Sequence, residues 1–184
     1  MALAGGHRDV PFYHQGFAAL SWLKALEMLM SHRHGSRYGR LYTKEIGGPV
    51  VWGALRRAHP RHTMLKSGVL GLRIERGSLT CGSRFVDHAV DYGLRSIDAL
   101  KNETRLVAWQ AALMEGPILA EGTFGALRMG GANRGVVLVG WNKHGKIAYQ
   151  DAFNGNMITK YSYCSIPDLL KWTTSPRSCF WRAL

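Results

Sequence analysis

In SWLKALEMLM the apolar residues Trp22, Ala25, Leu26 and Leu29 recur at helical spacing, while Lys24 and Glu27 fall off that face. The pattern predicts an amphipathic helix that buries one stripe, with Ser21 at its start as N-cap. The stretch SHRHGSRYGRLYTKEIGG behind it, basic and broken by Gly and Ser, reads as a loop. A second helix is expected over 49–58, where Val50, Val51, Ala54 and Leu55 are apolar at helical spacing. The middle of the chain mixes strand and helix signals, and only a helix around 85–91 is expected there. DYGL, from Asp91 to Leu94, reads as a turn.

The pattern sharpens from Asn102. Leu106, Trp109, Ala112 and Leu113 line one face of NETRLVAWQAALMEG, which predicts a helix capped near Asn102 and stopped by Gly116-Pro117. Strands are expected in ILAEGTF, in the near-continuous apolar run GVVLVGW and in KIAYQDAF, the last two joined by the turn NKHGK. A further strand in ITKYSYCSI and a short helix starting near Pro167 complete the reading. Helices dominate the first part and strands the second.

The chain has 184 residues, 46% of them apolar, enough for one good core and one domain, 1–184. Its 24 Lys and Arg against 12 Asp and Glu leave a formal charge of +12. Such a field favours acidic partners such as nucleic acid or an anionic membrane surface, without bearing on the fold. Arg33, Arg37 and Arg40, with Tyr38 and Tyr42 as stacking groups, are the candidate contacts to such a partner. No nucleic-acid-binding motif accompanies them.

Cys81, Cys164 and Cys179 form no CxxC or zinc-like pairing, so buried free thiols in a reducing compartment are expected. His32 and His34 stand two apart with no carboxylate or thiol next to them, which reads as solvated loop, and no metal site is expected. No cofactor is expected either. The start of the chain lacks the apolar core of a signal peptide, and no run approaches the roughly 20 apolar residues of a membrane span. A protein soluble in the cytoplasm where it is made is expected, with export by a route that reads no cleavable signal left open.

One ordered set of features carries chemistry. Gln15 precedes Ser21-Trp22 and the long helix; a helix ending in Gly-Pro, an apolar strand, GANRGVVLVG and Asp151 after the next strand follow in that order. This arrangement resembles the papain-like cysteine peptidases, above all their compact bacterial members that process leader peptides or are delivered as effectors. The resemblance implies an α+β papain-like fold, an N-terminal helical half packed on a C-terminal antiparallel β-sheet half with a cleft between. It also implies an oxyanion donor at Gln15, a nucleophile at position 21, a base at position 134 and an orienting group at Asp151.

Position 21 is Ser and position 134 is Arg, where the family places Cys and His. A serine hydroxyl needs an adjacent base, and a guanidinium is protonated at any physiological pH. Ser21 with Arg134 therefore cannot run the thiol peptidase mechanism. Three readings follow. The scaffold has lost peptidase chemistry and binds a protein or peptide partner in or near the old cleft, as a bacterial effector or toxin; or Ser21 acts in a hydrolase or transferase with a base relocated to His14, His88 or His144; or the chain is a basic module for nucleic acid or membrane. In the first, an Arg134–Asp151 ion pair would replace the His–Asp contact; a solvated Arg134 is the alternative. Taken singly, Ser21 reads as a helix cap and Gln15 as a loop residue.

Overall fold

A computed structural model describes residues 2–13, 21–36, 93–122, 124, 134–152, 160–173 and 179–184, with the backbone alone of 21–23 and 134. The helices expected over 49–58 and 85–91 lie outside the described residues. What is described is a mixed α+β arrangement around a seven-stranded antiparallel sheet.

The sheet consists of β1 (Gly5–Gly6), β2 (Leu94–Ser96), β3 (Ile118–Gly122), β4 (Arg134–Trp141), β5 (Ile147–Gln150), β6 (Ser162–Cys164) and β7 (Phe180–Ala183). Its order is β2-β7-β3-β4-β5-β6, and β1 pairs with β4. The long strand β4 organises it. On one edge Arg134 to Leu138 pair with β3, and beyond them Gly140 and Trp141 pair with Gly6 and Gly5. The pairing with β5 shifts register between Leu138 and Gly140.

The apolar run of β4 has a simple physical origin. Val136, Val137, Leu138 and Val139 are all fully buried. Val137 and Val139 belong to a cluster with Ala25, Leu26 and Leu29 of α1 (Ser21–His34), while Val136 and Leu138 pack with Trp109, Leu113 and Leu169 from the other two helices. Successive strand residues point to opposite faces, so a sheet covered on both sides needs apolar residues at every position. The helices that supply the second face are α2 (Leu106–Glu115) and α3 (Ile166–Trp172).

Helix α1 departs from its expected form in two ways. Glu27 does not lie off the buried face but is itself buried, with Met28, Met30 and Ser31. The N-terminal segment packs on the helix as well as the sheet does, through Leu3, Val10 and Tyr13. Lys24 Nζ meets the Glu27 carboxylate at 2.5 Å, which offsets the cost of desolvating that charge. The helix also runs on through His34, so His32 and Arg33 belong to its last turn and not to a loop. Gly35, at φ +92°, ends it in the left-handed conformation that suits glycine, and its N–H donates to the Ser31 carbonyl at 2.9 Å. Basic groups are favourable at that negative end of the helix dipole.

Helix α2 starts at Leu106, and its N-cap is Arg105, not Asn102. The reason is local: the Glu103 carboxylate accepts from the Arg105 N–H at 2.8 Å and from its guanidinium, holding the preceding residues in a turn. Trp109 Nε1 donates to the Glu103 carbonyl at 2.8 Å while its ring stacks edge-on with Phe180, centroids 5.1 Å apart. Helix α3 begins as expected beside Pro167, with Ser165 as N-cap accepting from the Asp168 N–H. Between β4 and β5, Asn142 Oδ1 accepts from the backbones of His144 and Lys146, an Asx turn completed by Gly145 at φ +72°.

Candidate functional site

Two places on β4 draw together residues with chemistry. The first is its beginning. Arg134 is the first residue of β4, and Val137 pairs with Gln150, so the chain leaving β5 at Asp151 runs alongside that end of the strand. Asp151 is buried at 8% exposure. Ser21 is the first residue of α1, which packs chiefly on β4. Gln15, Arg37, Arg40, His14 and His88 lie outside the described residues, as do the side chains of Ser21, Trp22 and Arg134.

His144 is exposed in the turn beyond Trp141, at the opposite end of β4 from Arg134. A strand of 8 residues spans roughly 25 Å. His144 is therefore not a relocated base for a site at the Arg134 end. Arg33, expected in a solvated basic loop, instead closes α1, where its Nε donates to the Leu184 carbonyl at 3.4 Å.

The second place is the far end of β4. The His7 N–H donates to the Val139 carbonyl at 2.7 Å, which fixes the residues after β1 against the strand. Across from them stands the last turn of α1. The rings of His7 and His32 meet edge-on with centroids 5.0 Å apart, and His32 Nδ1 lies 3.3 Å from Asp9 Oδ2. His7 Nε2 donates to the Leu113 carbonyl of α2 at 2.8 Å. Burial holds His32 below the usual histidine range, against the pull of Asp9 and with His7 and Arg33 adding to the depression.

The chain matches no model of a known protein family and no curated protein.

His32 stands in a basic stretch broken by Gly and Ser that reads as a loop, so the sequence alone does not bring His7, Asp9 and His32 together. The available signal was the basic last turn before Gly35; the partners of His32 come from a segment far away along the chain. Cys164 and Cys179 are buried and neither is in a disulfide. Burial, with Asp168 adding to it, pushes the Cys164 thiol up to about 12, which keeps it protonated and unreactive at neutral pH. Among the described residues no helix is long and apolar enough to cross a membrane.

Proposed function

We propose that the chain is a catalytically degenerate papain-like protein that acts by binding a protein or peptide partner in or beside the former peptidase cleft. One observation carries the reading: Arg134 and Asp151 emerge at one end of the paired strands β4 and β5, in the order and at the end where a base and its orienting group would stand. The packing of α1 adds support. Its last turn lies beside the Val139 end of β4 through the His7–His32 contact, and the helix packs chiefly on that strand.

The chemistry of the two substituted positions then sets the function. A guanidinium at position 134 supplies fixed positive charge and no proton acceptor, and a hydroxyl at position 21 stays protonated without one. A cleft so equipped binds and does not cleave. Arg134 would hold the acidic groups of a partner, or Asp151 itself, through paired N–H donors.

The test is gain and absence of reactivity. The doubly substituted protein Ser21→Cys, Arg134→His is expected to react with an epoxide probe of cysteine peptidases, and Ser21→Cys alone to react far more slowly. The natural chain is expected to ignore serine-directed phosphonates. Phosphonate labelling that disappears in Ser21→Ala would establish the hydrolase reading instead.

A further inference from the structure

We propose that His7, Asp9 and His32 form a binding site for a divalent transition-metal ion of the zinc type, which ties the N-terminal segment to the last turn of α1. The site lies at the end of β4 remote from Arg134 and is independent of the peptidase-like reading.

The spacing is that of ligands around one ion. One donor atom from each of the three side chains lies within 4.8 Å of the other two. Nitrogen and oxygen ligands bound at about 2.0–2.2 Å in a tetrahedron stand roughly 3.3–3.6 Å apart. The 3.3 Å between His32 Nδ1 and Asp9 Oδ2 is such an edge. That nitrogen is shielded from solvent and makes no hydrogen bond, so the carboxylate is close to it without being aligned to accept from it. An ion between the two atoms would satisfy both.

The surroundings prepare His7 as a ligand. A carbonyl can only accept, so the bond to Leu113 places the His7 proton on Nε2 and leaves the lone pair of the neutral ring on Nδ1. A backbone carbonyl on the other ring nitrogen is the usual support of a metal-bound histidine. The backbone is fixed as well: His7 is bonded to Val139, the Arg8 guanidinium donates to the Leu3 carbonyl at 2.8 Å, and Lys160 Nζ donates to the Arg8 carbonyl at 2.9 Å. His32 stands on a helix. Ligands on rigid elements need little reorganisation to bind.

The donor set selects the metal. Two imidazoles and one carboxylate suit zinc, cobalt or nickel, whereas calcium and magnesium require oxygen cages and copper(I) prefers thiolates. The Asp9 side chain is 75% exposed, so water can reach a fourth position.

Cobalt(II) titration of the full chain, followed by visible absorption, tests the site. One equivalent is expected to give the intense absorption of a four-coordinate ion, and zinc to displace it. Asp9→Ala and His7→Ala are expected to weaken binding at least about tenfold, the scale that even outer-shell partners command. His34→Ala, at an exposed neighbour, is expected to leave it unchanged. Because Asp9 is exposed, its replacement should not disturb folding even where that of His7 does. The absence of saturable binding, or equal affinity in Asp9→Ala and the natural chain, would overturn the proposal.

Discussion

Gly6 and Gly140 face each other across the antiparallel pair of β1 and β4, so close that neither tolerates a side chain. A Cβ on Gly140 would land on the Gly5 carbonyl oxygen, and one on Gly6 on the Val139 carbonyl. Gly6 also holds φ +102°, in the left-handed region. Gly140→Ala is therefore expected to detach β1 or distort β4, at a cost of roughly 1–3 kcal/mol. Urea unfolding would measure it, and hydrogen exchange should show the His7 amide losing protection. Unchanged stability and an unchanged His7 amide would contradict this account of the pairing.

Arg182 on β7 reaches the C-terminal end of α2, where its guanidinium pairs with Glu115 and donates to the Ala112 carbonyl. The two partners are unequal: the Arg182 side chain is 9% exposed and that of Glu115 is 63% exposed. Arg182→Ala removes buried packing and leaves the helix-end carbonyl without its donor, an expected loss of about 1–3 kcal/mol. Glu115→Ala should cost under about 1 kcal/mol, as for other solvent-screened pairs. Denaturation of the two variants side by side gives the order, and equal losses would refute it.

The turn before α2 is expected to carry a pH signature. The Arg105 side chain and backbone N–H, bonded to the Glu103 carboxylate, lower its pKa to about 2. A carboxylate depressed in the folded state contributes stability above its ordinary value of 4.5, and the contribution is lost as pH falls toward about 2. Carbon-detected NMR should place the Glu103 transition near that lower limit, and Arg105→Ala should return it toward the ordinary value. A Glu103 titration that Arg105→Ala leaves unmoved would count against the pairing.

Periodicity located most of the second part of the chain. The strands β3, β4 and β5 and the helix α3 arise where apolar spacing and turn residues point to them, because each carries its own signal: β-branched runs, an Asx turn at Asn142, a Ser165 cap before Pro167. Three strands were not legible. β1 is two glycines, β2 contains Leu94 from a segment read as a turn, and β7 is a short FWRA at the end of the described chain. None has a pattern of its own. Each is a strand because a neighbour offers unpaired N–H and C=O groups, as β7 shows by lying between β2 and β3.

The same division runs through the two sites. That the start of β4 lies beside the end of β5 was legible, because consecutive antiparallel strands joined by a short turn bring the start of one beside the end of the next. The burial of Glu27 was not, since periodicity describes one stripe of a helix and is silent on a second segment that covers another.

By itself, the sequence determined the α1 helix, the central antiparallel strands and the excess of positive charge. These are properties of local spacing and residue chemistry. Only the tertiary structure decided that both faces of the sheet are covered, that β1 and β7 join it, and that His7, Asp9 and His32 meet at the Val139 end of β4. Those outcomes depend on hydrogen bonds and packing between segments far apart in the chain, and no local pattern encodes which distant backbone will be the partner.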